Sequence, residues 1–195
     1  VHGPSVDDPL AARVFKTISE EHIGEMSFFR VYSGKVNTGD DLRNTTRNNS
    51  EKMRQIYFMN GNKRKDAAQL IAGDIGAALK LKNTHTGDTL SSPKSPILLP
   101  EIKYPTSNMS FAIKPRARGD EEKIANGLAV MHEEDPTFVY KVDPELKQTI
   151  ISGQGELHLD IALKRISDRF HVELLKETPK VPYRETITGK ADAKY

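Results

Sequence analysis

The sequence contains no cysteine. That removes disulfides and every cysteine-based zinc site, and it suits a reducing compartment such as the cytoplasm. Long apolar runs are missing too. None approaches the roughly 20 residues a membrane span needs, and no secretory leader is visible, so no membrane partner is expected. Net charge is only +2 over 195 residues, so global charge names no partner. Catalytic signatures are equally scarce. No G-x-x-x-x-G-K-[ST] phosphate loop occurs, and Ile151-Ser152-Gly153-Gln154-Gly155 only partly resembles a G-x-S-x-G nucleophile elbow. The histidines (His2, His22, His85, His132, His158, His171) show no metal-ligand spacing, and the zincin-like His132-Glu133 lacks its second histidine, because Pro136 stands there. Glu133-Glu134-Asp135 closes a helical run before Pro136 and reads as a solvated face. The expectation is a chain with no catalytic, cofactor-binding or metal residue of its own.

What is present divides midway. Residues 1–9 carry Gly3, Pro4 and Pro9 and read as a linker. Short alternating or β-branched runs follow: Ala12 to Ile18, Met26 to Tyr32, Asp41 to Thr46, Lys52 to Met59 and Ala77 to Leu81. Turn residues separate them, among them Ser33-Gly34, Gly39-Asp40, Asn60-Gly61-Asn62, Gly73-Asp74 and Gly87-Asp88. Such spacing without helical periodicity predicts an all-β antiparallel barrel over residues 10–99, whose closure would deal with the edges of short strands. Pro93, Pro96, Pro100 and Pro105 then make a stiff extended connector.

Residues 100–180 read in a different order. Asn108 to Lys114 alternates as a strand. Gly119 to Asp135 is a helix with acids in its first turn and Ile124, Leu128 and Met131 at helical spacing. Thr137 to Val142 and Gln148 to Ser152 are strands, Glu156 to Phe170 is a second helix, and His171 to Leu175 is a last strand. The order βαββαβ predicts an α+β ferredoxin-like sandwich, with both helices on one face of four antiparallel strands. The chain begins at Val1 rather than methionine and stops at Tyr195, after a strand-like run from Tyr183 to Ile187. It therefore reads as a piece of a longer protein, with residues 181–195 as the truncated start of a following domain.

Two stretches stand out chemically. The first is Gln148 through Ile161, a strand, a glycine turn and a helix with no spare residues. A dinucleotide fingerprint would sit at such a junction, but its third glycine is replaced by His158, and Glu156 puts a carboxylate where a pyrophosphate would lie. The turn instead reads as one that needs glycine's backbone freedom. On the helix, Leu159, Leu163, Ile166 and Phe170 form the stripe toward the sheet, and Leu157 and Ile161 fall almost opposite. That pair is either an ordinary apolar spill onto the surface or a docking face. The second stretch is Arg43 to Lys65, with Arg43, Arg47, Lys52, Arg54, Lys63, Arg64 and Lys65 against a single acid, Glu51. It could neutralise nucleic-acid phosphates. Residue types alone favour a solvated loop face with Tyr57 and Phe58 in the core.

At this point the residues resemble a known family. Phe29-Arg30-Val31-Tyr32-Ser33-Gly34-Lys35-Val36, Gly39-Asp40, Ala72-Gly73-Asp74-Ile75-Gly76-Ala77 and Thr86-Gly87-Asp88-Thr89-Leu90 resemble, in order, the second domain of translation elongation factor G. Glu134-Asp135-Pro136-Thr137-Phe138, Gln148-Thr149-Ile150-Ile151-Ser152-Gly153, Gly155-Glu156-Leu157-His158-Leu159 and Pro182-Tyr183-Arg184-Glu185-Thr186-Ile187 resemble its third domain and the entry to its fourth. Gln154, where methionine is usual, and the approach Lys180-Val181-Pro182-Tyr183 resemble the elongation-factor-G-like second group, near the ribosomal protection proteins.

The resemblance implies a translational GTPase that moves tRNA and mRNA through the ribosome. GTP and magnesium would be held in a GTPase domain before Val1, with further C-terminal domains after Tyr195. It implies a barrel touching ribosomal RNA beside small-subunit proteins, with Arg30, Lys35, Arg43, Arg47, Lys52, Arg54, Lys63 and Arg64 as contact candidates. It also implies that the ferredoxin-like domain couples the GTPase domain to the ribosome, with Ser152, Gly153, Gly155, Glu156, Leu157, His158 and Ile161 as coupling candidates. A stand-alone RNA-binding module and a ribosome-protection or recycling paralogue are the alternatives.

Overall fold

The computed structural model describes residues 5–20, 24–189 and 191–193. His2, His22, Gly3 and Pro4 lie outside them. Ten strands build the first unit: β1 (Ala11–Glu20), β2 (Gly24–Ser33), β3 (Lys35–Asn37), β4 (Asp41–Asn44), β5 (Asn49–Lys52), β6 (Ile56–Asn60), β7 (Lys63–Ala67), β8 (Gln69–Ile71), β9 (Ile75–Leu79) and β10 (Thr89–Ser91). Eight of them form one antiparallel sheet in the order β5-β4-β10-β1-β2-β9-β6-β7, and β3 pairs with β8 as a separate ribbon. The sheet and ribbon enclose one core, including Val14, Phe29, Val31, Val36, Leu42, Met53, Ile56, Leu70 and Leu90. The wall is a barrel, and backbone hydrogen bonds flanking the ribbon, such as Gly39 N–H to the Met53 carbonyl and Gly73 N–H to the Val31 carbonyl, tie it to the sheet. Its hydrogen-bonded sheet ends at β5 and at β7, and β7 carries Lys63, Arg64 and Lys65, charges of the kind that keep an edge from recruiting another chain.

The expected run from Lys52 to Met59 is two strands. The chain breaks at Met53, whose side chain is buried and whose backbone exchanges hydrogen bonds with Asp40 and Gly39. The assignment of Tyr57 and Phe58 to the core is also corrected. Ile56 points inward, while Phe58 is exposed and Tyr57 is half-buried beneath the Arg64 guanidinium. Strands β3, β7, β8 and β10 escape the sequence pattern because three are only three residues long and β7 is almost wholly polar.

Residues 92–108 carry no helix or strand. The second unit follows: β11 (Met109–Pro115), α1 (Glu121–Glu134), β12 (Val139–Asp143), β13 (Gln148–Gly153), α2 (Glu156–Phe170) and β14 (Leu174–Glu177). Sheet order β12-β13-β11-β14, antiparallel throughout, is the ferredoxin-like arrangement. The last strand starts later than the pattern suggests. His171 takes a left-handed conformation (φ 52°) as the cap of α2, and Val172 turns into the core before pairing begins.

The helices bury the predicted stripes, Ile124, Leu128 and Met131 from α1 and Leu159, Leu163 and Ile166 from α2, while Phe170, the last residue of the α2 stripe, is half-buried against the same core. Gly127 permits their close approach, since a β-carbon there would lie 2.7 Å from Ile166 Cγ2. Opposite the buried stripe, Leu157 is 73% exposed and Ile161 45% exposed. We therefore expect Ile166→Ala to destabilise the chain by about 2–5 kcal/mol and Leu157→Asp to change it by less than about 0.5 kcal/mol. Urea unfolding of the two variants checks this. A large loss for Leu157→Asp would show that the outer face of α2 is core after all.

Candidate functional site

The C-terminus of a helix is the negative end of its dipole, yet α1 ends on Glu133 and Glu134 with Asp135 as its cap residue. The three acids are not a solvated face. The barrel and α2 supply donors to them. Glu134 Oε1 accepts the Ser19 backbone N–H of β1 at 2.9 Å and the Arg169 guanidinium of α2 at 2.9 Å, and Arg169 also donates to the Ser19 carbonyl. Glu133 accepts from His85 Nδ1 and from the Thr86 N–H at 3.0 Å, and the Thr86 hydroxyl lies 3.1 Å from both the Glu133 carbonyl and Thr17 Oγ1. Thus both acids that a helical reading leaves in water clasp the two units together.

Two buried carboxylates hold the segment that presents His85 and Thr86. Asp88 accepts the His85 N–H at 2.9 Å, the Asn44 amide at 2.8 Å and Arg47 Nε at 2.8 Å. Glu51 accepts the N–H groups of Lys82 and Asn83, at 3.0 and 2.7 Å, and the Thr84 hydroxyl at 3.0 Å. Either carboxylate would be costly to bury without these partners.

Asp135 carries the connection to the strand-turn-helix junction. It accepts the backbone N–H and the hydroxyl of Thr137, and lies 3.0 Å from His158 Nε2. His158 Nδ1 accepts the Gln154 N–H at 3.0 Å, so in the neutral ring the proton is on Nε2 and is donated to Asp135. Gln154 in turn donates its carboxamide to the carbonyls of Pro105 and Thr106 in the connector. One polar chain therefore runs from the barrel through the end of α1 to the start of α2.

The glycines of the junction act otherwise than the sequence suggests. Gly153 is needed for proximity, since a β-carbon would sit 2.7 Å from His158 Nδ1 and 2.8 Å from Leu159 Cδ2. Gly155 is extended, with φ 173°, a conformation open to any residue, and has free space around it. Ser152 Oγ is 2.7 Å from Ser110 Oγ across the sheet. Glu156 and Asp160 bind Lys176 at 3.0 and 2.7 Å, and these hydrogen bonds, Asp160's first, raise the Lys176 ammonium pKa. The junction does not fit a nucleotide: the Gln154 N–H already serves His158, and Glu156 lies at the helix start. Among the described residues no group of three or more histidines or carboxylates is placed to hold a metal ion.

The basic candidates scatter. Arg30 lies over the Tyr32 ring at 5.4 Å, Lys35 is exposed on β3, and Arg43 bonds Asn48. Arg47 is committed to Asp88. Lys52 is 3.8 Å from Asp41, Arg54 is exposed beyond β5, and Lys63 and Arg64 lie on the β7 edge. Sequence reasoning missed Ser19, His85, Thr86, Glu133, Glu134 and Arg169 at the clasp. Three acids at a helix's negative end were the available signal.

Asp135 gives the clasp an acid dependence. Burial pushes its carboxyl up, but hydrogen bonds from Thr137 and His158 outweigh that and hold it below its usual value. Its folded pKa thus lies under the unfolded value of about 3.9. The stabilisation it contributes is complete above that value and lost as pH falls through the folded one. Asp135→Asn should therefore be less stable than the parent near neutrality, with the difference closing as pH drops below about 4. Parallel urea midpoints for the two proteins across that range would contradict it.

Comparison with known proteins agrees with this architecture. The family model for elongation factor G domain 2 matches residues 9–93, and that for Elongation Factor G, domain III matches residues 104–177. Elongation factor G from Orientia tsutsugamushi, in strains Boryong and Ikeda, is 42% identical over 191 residues, covering 98% of this chain. A crystal structure from Thermus thermophilus superposes with a TM-score of 0.80 at 29% identity, covering 91% of this chain. The chain spans 27% of the length of each of these relatives. The chain belongs to the elongation factor G family, of which it carries the second and third domains.

Proposed function

We propose that these residues are an internal part of a translational GTPase that promotes GTP-dependent movement of tRNA and mRNA through the ribosome in the cytoplasm. The barrel contacts ribosomal RNA beside small-subunit proteins. The ferredoxin-like domain links the GTPase domain and the C-terminal domains to the ribosome. GTP and magnesium belong to the GTPase domain, and the 195 residues contain no phosphate loop to hold them. The domain limits follow from the same reading: barrel 10–99, ferredoxin-like 100–180, and the next domain beginning at 181.

One observation carries this reading most directly: Glu133 and Glu134 clasp the barrel at two separate points, Ser19 and the His85-Thr86 loop. Two fixed points resist rotation where one would act as a pivot, so a displacement of the barrel is passed to α1 and onward through Asp135 to His158. The exposed Leu157 and Ile161 then offer α2 an outward face for a neighbouring domain. In the full-length factor, Glu133→Gln with Glu134→Gln, and separately Leu157→Asp, should slow translocation about tenfold, equivalent to about 1.4 kcal/mol, while ribosome-stimulated GTP hydrolysis continues. Single-turnover translocation measured beside phosphate release tests it. Unchanged translocation in both variants removes the coupling reading.

Arg43 on β4 and Arg54 just beyond the neighbouring β5 support the RNA contact. Charge reversal at Arg43 and Arg54 should weaken ribosome association at about 150 mM salt. Arg47 is left out, because a glutamate there would face the buried Asp88 and unfold the loop. Equal affinity for the parent and the double variant would exclude these arginines.

A second reading has its own observation. Gln154 donates to two connector carbonyls, which a methionine thioether cannot do. That favours a ribosome-recycling or protection paralogue with a differently tied connector, and ribosome splitting assayed beside translocation separates the two.

A further inference from the structure

Beside β5 the barrel has a cleft of about 290 Å³ into which four cations converge: Lys52, Arg54, Lys80 and Lys82. Lys80 and Lys82 lie outside the basic stretch visible in the sequence. Glu51 brings them in, because its carboxylate accepts the Lys82 and Asn83 N–H groups and so fastens the chain after β9 against β5. Lys80 itself stands in the left-handed region at φ 55°, where a lysine is sterically disfavoured.

The cleft's two acids, Glu51 and Asp41, offset two of its four cations and leave a net positive charge of about two. Glu51 is 3% exposed and its oxygens are occupied by backbone and hydroxyl donors. Asp41 stands 3.8 Å from Lys52. Among the described residues Arg54, Lys80 and Lys82 form no ion pair. The β7 hairpin at the other end of the sheet is equally basic in sequence, but Lys63, Arg64 and Lys65 spread along an exposed strand, with Arg64 over Tyr57. A concave group of charges with low-dielectric walls focuses potential more strongly than a row on a convex edge.

We propose that this cleft, rather than the β7 hairpin, is the phosphodiester seat of the barrel, taking the backbone of an RNA strand through Arg54, Lys80 and Lys82. It rests on the reading of the barrel as an RNA-contacting domain. Backbone recognition by these groups would be strongly salt-dependent and indifferent to base sequence.

The test compares two triple variants of this chain against a short RNA duplex, by fluorescence anisotropy over a salt series. One is Arg54→Gln, Lys80→Gly, Lys82→Gln; the other is Lys63→Gln, Arg64→Gln, Lys65→Gln. Each removes three charges, so net charge alone predicts equal effects. The cleft variant should bind at least tenfold more weakly at low salt and flatten the log–log salt slope by about 2–3, close to 0.9 per lost phosphate contact. The hairpin variant should flatten it by less than about 1. Equal slopes, or the larger change in the hairpin variant, overturn the cleft while leaving an RNA-binding barrel in place. No binding by the parent chain overturns the RNA reading and the cleft with it. Amide shifts of the parent chain on adding the duplex give the same answer without any substitution. The largest belong at residues 80–83 if the cleft is the seat, and at 61–66 if it is not.

Discussion

The constraint on which the arrangement depends is electrostatic: three carboxylates stand at the negative end of a helix and cannot all be left to water without loss. Their compensation comes from another part of the chain. Ser19 and Thr86 offer backbone N–H groups, His85 an imidazole, and Arg169 a guanidinium that touches both Glu134 and the Ser19 carbonyl. Charge-assisted hydrogen bonds of this kind are stronger than neutral ones and more demanding in direction. They therefore set an orientation between the domains as well as an attraction. The connector adds to this: burial raises the pKa of the Tyr104 phenol, against the pull of Arg13, with Asp135 and Glu133 raising it further.

The donors have to be held in place for this to work. The loop carrying His85 and Thr86 has no regular structure of its own, so its shape comes from the carboxylates buried beneath it. Asp88 ties its end to Asn44 and Arg47, and Glu51 ties its beginning through Lys82, Asn83 and Thr84. A pair of acids inside the barrel thus shapes the surface that receives a second pair from outside it. The same Glu51 gathers the lysines of the basic cleft. One buried side chain serves both the interdomain face and the candidate RNA face.

Much of this was legible from residue order. Helical spacing identified the buried stripes of α1 and α2 and the outward pair Leu157 and Ile161, because one helix face decides each without reference to anything distant. The order of elements was enough for the ferredoxin-like sheet, since few topologies satisfy βαββαβ. The short strands of the barrel were not legible: three residues hold too little alternation, and β7 is stabilised by pairing with β6 rather than by burial. The clasp was hidden for a different reason. Its partners are remote in sequence, and an acid followed by proline looks the same whether water or another domain receives it. The junction at Gly153 was found for its glycines, but proximity to His158 and Leu159 explains only the first of them.

The Ser19 contact with Arg169 joins residues 150 positions apart in a chain of 195. Ordering so long a loop comes late, because its entropy is lost before its contacts are gained. Three barrel pairings join consecutive strands, β1 with β2, β4 with β5 and β6 with β7, and the others reach further, but all lie within residues 11–91, so the barrel can form while the rest is still being synthesised. The clasp is complete only when the last turn of α2 brings Arg169 to Glu134 and the Ser19 carbonyl. Assembly then ends with the closing of the joint between two finished bodies, and the step completed last in folding is the one whose reopening disturbs the least of either core.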